Sequence, residues 1–362
     1  MLPGDGILLQ MCSSLPALVT ADAELKEIAY LSGSVIIDDG AQVSIQEGTN
    51  TTILANSTIR VKGGSSLSLS GDVKIRDNVK IIAEEGSTID FDNAVCYWGE
   101  GSLLQINGST LNSIGSSCYP DTLGHTWEGI YASNSSDISL NSTIIDGAET
   151  NELVNSDVYV NNSRFNVPGD AVGLYIENSN TNHTVKIEAT EADKGFYGEG
   201  ASSIGLGYKN AGAAVKIWNL NFVNLGIGLC NLTNSAIRDS IVACTFVDNS
   251  TGIHILGLSY SPFITDCSFY ENELGAYLEA ASPDLRDCLF DHCELGIRTE
   301  LSTGSAGGIY DCIFQTGETA IVSRGSNLRV AGNLFYTEYG ILNHSGSILN
   351  MGNSAKNLFN AE

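Results

Sequence analysis

A short phrase built on phenylalanine returns five times in the C-terminal half of this 362-residue chain: CTFVDN at 244–249, CSFYEN at 267–272, CLFDHC at 288–293, CIFQTG at 312–317 and NLFYTE at 333–338. Upstream, LNF at 220–222 occupies the same slot, so Phe222, Phe246, Phe269, Phe290, Phe314 and Phe335 recur at intervals of 24, 23, 21, 24 and 21 residues. A second motif keeps step with the first. Gly252-Ile253, Gly275-Ala276, Gly296-Ile297 and Ala320-Ile321 each begin six residues after a repeat Phe, and Gly340-Ile341 begins five after its own. A fixed period of this length means structural units that stack, each burying its apolar face against its neighbours.

Within each unit apolar residues alternate over short runs, as in Cys267/Phe269, Ile253/Ile255 and Ile227/Leu229, between Gly, Asn, Asp and Ser. Period-two alternation over such lengths is strand. The LxxLxLxxN unit of a leucine-rich repeat is missing. Three short strands per unit of 21–24 residues, stacked so that like positions superpose, make an all-β fold: a right-handed parallel β-helix solenoid of roughly 14 coils. Cys244, Cys267, Cys288 and Cys312 then form an inward column of reduced, buried thiols beside the phenylalanines. Asn249 and Asn272, each three residues after a Phe, are placed to stack as an amide ladder at a bend, with Cys293, Gly317 and Glu338 departing from it. The N-terminal half carries the pattern more loosely, in GSVIIDDGAQVSI at 33–45, GSSLSLSGDVKI at 64–75 and GSLLQINGSTL at 101–111. Regularity fades at 116–127 and again from about 176 to 213, which read as lateral excursions. The expected organisation is a cap or fragment edge at 1–30, with a short amphipathic helix over 20–31 covering the open first coil. One parallel β-helix spans 31–350, and a short polar tail occupies 351–362.

Composition excludes several partners. With 17 Lys and Arg against 42 Asp and Glu the formal net charge is -25, so no surplus of cations exists to displace counterions from a nucleic acid or bind an anionic membrane. The apolar stretch from Ile7 to Val19 is broken by polar residues and lacks a preceding Lys or Arg, which suits a folded edge better than a secretory leader or direct membrane insertion. Nine cysteines form no CxxC pair and histidines number five, which speaks against zinc and iron–sulfur centres. Whether Cys96 and Cys118 pair is left open, and Cys12 stands alone near the start. Sequons begin at ten asparagines, among them Asn182, Asn231 and Asn249.

The Gly-Ile unit with a later C-x-F at this spacing resembles the right-handed parallel β-helix repeats of the pectin lyase-like superfamily, especially those in large secreted or surface proteins of bacteria. HTWEGIYASNSSDISLNSTIIDGAE at 125–149 is similar to a W-x-G-I segment common in such proteins. The resemblance covers roughly residues 30–350 and implies a secreted or cell-surface location, glycans or other cell-surface components as partners, and a segment of a longer polypeptide. It implies no single activity, because the superfamily holds uronate lyases, glycoside hydrolases, adhesins and structural rods. Of the hydrolase elements N-x-D, D-D, G-H-G and R-x-K, Asp38-Asp39 is the one D-D pair, and G-H-G does not occur. That pair reads as a surface turn.

The best candidate metal residues are Asp266, Asp287 and Asp311, each immediately before a column cysteine. Outward on adjacent coils, their carboxylates would lie about 4.8 Å apart, an exposed row with Arg286 as partial counterion that a weakly held Ca2+ would relieve. No other cofactor is expected. Trp98, Trp127 and Trp218 with Tyr97, Tyr119, Tyr131, Tyr197 and Tyr208 are candidates for a sugar-stacking platform, and of the histidines only His254 and His292 fall close enough in the repeat to share a face. Two function classes remain. The first is a non-catalytic rod serving as spacer, adhesin or glycan-contacting module. The alternative is a polysaccharide-active enzyme, a uronate lyase or glycoside hydrolase. Missing catalytic motifs and few cations weigh against an enzyme without deciding the question.

Overall fold

The computed structural model describes residues 7–9, 15–25, 28–179, 183–210, 214–233, 239–257, 262–282, 284–301, 308–344, 346–351 and 357–359. Cys12 and the sequon asparagine Asn182 lie outside them. Among the described residues every regular element is a β-strand, and no helix is long and apolar enough to cross a membrane. The strands coil into a right-handed parallel β-helix of roughly 13 turns, grouped into two compact units, Met1–Pro168 and Gly169–Glu362.

In the first unit three parallel sheets carry inward columns of aliphatic side chains. Val35, Ile59, Ile81, Leu104 and Ile130 follow one another in register, as do Val43, Leu67, Ile89, Leu111, Ile138 and Val158. All of these are buried. The helix expected over 20–31 is absent. Ala23–Leu25 and Ile28–Leu31 are strands, and Ala23 and Leu25 pair in register with Val43 and Ile45. Ala23 and Leu25 are buried with Glu24 turned away between them, so period-two alternation decided this segment over helical propensity. In the 116–127 excursion Ser117–Pro120 joins the ladder, and the buried rings of Trp98 and Trp127 stack with centroids 4.5 Å apart.

In the second unit each coil runs through three sheets. The first contains Val185–Glu188, Val215–Trp218, Ser240–Val242, Phe263–Thr265 and Asp284–Arg286. The second holds the phenylalanines. Rings of Phe196, Phe222, Phe246, Phe269, Phe290, Phe314, Phe335 and Phe359 stack in order, with centroids 4.5–5.2 Å apart and planes within 13° of parallel. Two members lie beyond the legible repeat: Phe196 opens the long strand Gly195–Asn210, and Phe359 sits in Leu358–Phe359. The third sheet contains Thr251–Leu256, Leu274–Glu279, Leu295–Glu300 and Thr319–Arg324. Its repeat glycines let the rings in. A Cβ on Gly252 would lie 2.9 Å from Cδ1 of Phe269 and 2.5 Å from the Gly275 carbonyl oxygen, and Gly275 stands likewise under Phe290.

Bends between sheets are satisfied by side chains. Asn249 Nδ2 donates to the Phe222 carbonyl at 3.0 Å and to Asn272 Oδ1 at 2.9 Å, and Asn272 Nδ2 donates to the Phe246 carbonyl at 2.9 Å. Cys293 continues the column with a thiol directed at the Phe269 carbonyl. At the other bend Cys244, Cys267, Cys288 and Cys312 each donate to the carbonyl two residues back, at 3.2–3.4 Å. Ser116 and Ser163 do the same in the first unit. The column cysteines are therefore bend formers as well as core. All eight described cysteines are free and buried, including Cys96 and Cys118, which face each other in register. Burial holds the Cys267 and Cys312 thiols well above their ordinary range.

Candidate functional site

On the outer surface of the third sheet, the position two residues after each repeat glycine carries chemistry. Cys230, His254, Tyr277 and Arg298 occupy it in successive coils and pair in register. Residues on either side, such as Ile253 and Ile255 or Ala276 and Leu278, point into the core, and the pleat turns this column outward. The His254 imidazole stacks on the Tyr277 ring at 4.7 Å, and the Arg298 guanidinium lies 5.2 Å from the same ring's centroid.

Two carboxylates flank the column. Tyr277 donates from its hydroxyl to Glu300 Oε2 at 3.0 Å, Arg298 donates from Nε to Oε1 at 2.9 Å, and Arg324 Nη1 approaches Oε1 at 3.5 Å. Glu279 Oε2 stands 3.7 Å from His254 Nε2, a buried atom without a hydrogen-bond partner among the described residues. The two stacked rings are pushed in opposite directions. Burial lowers the His254 pKa, outweighing Glu279, so the imidazole is neutral at pH 7. Burial first, then the bond to Glu300, raises Tyr277 to about 12, so the phenol keeps its proton. The arrangement sets a proton acceptor beside a proton donor, with a cation one coil away.

The three aspartates sit elsewhere. Asp266, Asp287 and Asp311 occupy the bend between the first and second sheets, all exposed and all with left-handed backbone at φ 52–55°. Asn219, Ala243 and Gly332 hold the same left-handed conformation. The backbone N–H groups of Asn219, Ala243, Asp266, Asp287 and Asp311 each donate to a carbonyl of the next coil, so the six positions form one column. The column favours Asn, Asp and Gly because those residues tolerate positive φ. The carboxylates do adjoin one another: burial, then Asp311 and Asp266, push the Asp287 pKa up. Arg286 is committed to Asp284 at 2.7 Å and lies over the Tyr310 ring. Among the described residues no group of three or more His, Cys, Asp or Glu is arranged to hold a metal ion.

Three of the aromatic platform candidates are unavailable to a ligand, while Tyr97 and Tyr119 lie in register with ring centroids 6.3 Å apart. Trp98, Trp127 and Tyr208 are wholly buried, the Trp127 Nε1 donating to the Asp146 carbonyl at 2.9 Å. Trp218, at 43% exposure, stands on the outside of the first sheet. His254 and His292 do not share a face either: His292 is in a left-handed bend beside Asp291 and Thr316. Asp39 is likewise a left-handed turn residue, with Asp38 held low by the Asp39 backbone N–H and by Lys62. The His254–Tyr277–Arg298 column was missed because His, Tyr and Arg share no chemical class. Its signal was positional, the constant offset from Gly252, Gly275 and Gly296.

Residues 204–357 match the family described as right-handed beta helix region. No curated protein matches the chain in sequence. Among solved structures it is similar to the A-module of the Azotobacter vinelandii mannuronan C-5 epimerase AlgE6, at 10% identity over 93% of this chain and 91% of that one, with a TM-score of 0.35. The AlgE4 A-module of the same organism follows at 11% identity over 92% and 91%, with a TM-score of 0.28. Likeness this loose carries no argument about activity. The strands and the family match over 204–357 agree on one architecture, a right-handed parallel β-helix.

Proposed function

We propose that this chain acts on an acidic polysaccharide, with the outer column of the third sheet as its acid–base site. The observation that carries the reading is the in-register stack of His254 on Tyr277, two groups whose pKa values are displaced in opposite directions. Elimination from a uronate chain needs a base for the proton next to the carboxylate, an acid for the departing glycosidic oxygen, and a cation to offset charge on the carboxylate. The neutral His254 imidazole suits the first role and the protonated Tyr277 phenol the second. Arg298 suits the third. The C–H electron pair forms the new double bond as the C–O bond breaks, the proton passes to imidazole, and the phenol proton goes to the leaving oxygen.

A second reading rests on its own observation. Glu300 already receives Tyr277, Arg298 and Arg324, so the same residues can serve as a coil-to-coil brace on a non-catalytic rod that contacts glycans at the surface of a cell. Incubation with polygalacturonate, alginate and a neutral glucan, read by ultraviolet absorbance of unsaturated uronate ends, separates the two. Turnover of a polyuronate that falls at least 100-fold in both H254Q and Y277F supports the acid–base site. Turnover by neither the parent protein nor the variants, with thermal stability reduced in Y277F, supports the brace.

A further inference from the structure

The first sheet of the second unit carries a separate feature, on outward positions of strands Val185–Glu188, Val215–Trp218 and Ser240–Val242. Val185, Ile187, Val215, Ile217 and Ile241 point inward and are buried, so the intervening side chains line the outer surface. Lys186, Lys216 and Ser240 form one outward column in register, and Glu188, Trp218 and Val242 form the next. Together they line an open groove of about 250 Å³, room for a single hexose ring and too small for a long polymer segment. Lys186 is paired with Glu188 at 2.5 Å. Among the described residues Lys216 has no hydrogen-bond or ion-pair partner, although it stands in a chain with a net charge of -25. Trp218, 43% exposed, presents its indole beside that free ammonium.

We propose that this groove is a binding site for a carboxylated pyranose unit of a polysaccharide, distinct from the acid–base column. An indole offers a flat apolar face to the C–H side of a sugar ring. A free lysine one column away supplies the charge for the carboxylate, while Glu188 and Ser240 accept and donate to hydroxyls. Two local cations in an acidic protein also give selectivity: a uronate meets Lys216, whereas a neutral sugar meets only the indole. The site lies on a different sheet from His254 and Tyr277, so it anchors a chain and takes no part in bond breaking.

The three tryptophans make a direct assay possible. Trp98 and Trp127 are wholly buried in the first unit, so a change in tryptophan emission on adding a small sugar reports Trp218. Titration of the intact protein with trigalacturonate, and with maltotriose as the neutral control, should give saturable quenching by the former alone. K216Q should weaken trigalacturonate at least tenfold, K216R should retain most of the affinity, and W218F should remove the signal while calorimetry still detects weakened binding. H254Q should leave the quenching unchanged, so failure of the acid–base reading and failure of this one are separable. Equal quenching by maltotriose, quenching that survives K216Q undiminished, or no saturable quenching by trigalacturonate overturns the proposal.

Discussion

Replacing Phe269 by Ala tests the stacked core where it is most tightly defined. The ring is wholly buried, lies 4.9 Å from Phe246 and 4.5 Å from Phe290, and passes over the bare Cα of Gly252. Truncation leaves a void walled by two rings that are each stacked again on their far side, so neither can move in to fill it. A buried Phe-to-Ala change costs about 3–5 kcal/mol, and this site belongs at the upper end because collapse is blocked. Phe359 is the internal control: among the described residues it stacks on Phe335 only, and it is 52% exposed, so its truncation should cost about 1 kcal/mol. Phe269→Leu restores most of the volume and should cost about 1.5 kcal/mol. Urea unfolding followed by circular dichroism gives the three values. Hydrogen exchange across the neighbouring coils shows whether the loss stays local, as expected where each coil touches only the next. The argument fails if Phe269→Ala costs no more than Phe359→Ala, because the cost would then not depend on the two-sided stack.

Other consequences are separately measurable. Asn249 and Asn231 are buried at 2% and 0% exposure, so mass spectrometry of protein made in a glycosylating host should find both unmodified; a glycan on Asn249 would contradict the amide ladder. Asn272→Ala removes a hydrogen bond from the Phe246 carbonyl, the Asn249 backbone N–H and the Asn249 side-chain amide and should cost about 2–4 kcal/mol in denaturant unfolding, as buried groups lose their bonds. Gly252→Val should destabilise strongly, since its Cβ would press on the Gly275 carbonyl and Phe269; an unchanged melting temperature would refute the role assigned to the repeat glycine. Tyr277 has a folded-state pKa of about 12, above its ordinary 10. Its contribution to stability is thus complete below about pH 10 and lost as pH rises toward 12; Y277F should flatten that loss. His254 is displaced downward, so its contribution is present above about pH 6.5 and lost on acidification, a slope that H254Q should remove.

The repeated Phe and Gly positions determined the coil and its register, because a parallel stack places each residue over its counterpart and any misfit recurs at every turn. The buried cysteines and the Asn249–Asn272 ladder were legible for the same reason. Phe196, Phe359 and the strands at 23–31 were not, since near an irregular coil too few equivalent positions remain to reveal a period. The aspartate row was legible as a row, but the reason it recurs was not. Sequence shows three carboxylates in step, while only the backbone shows that each position demands positive φ. The outer column of the third sheet had a positional signal in the sequence and no chemical one, and its contacts depended on tertiary structure. His254, Tyr277 and Arg298 lie 23 and 21 residues apart and belong to no shared motif. Their contact, and the opposite displacement of two pKa values that follows from it, arise only when adjacent coils bring the rings face to face and partly exclude water.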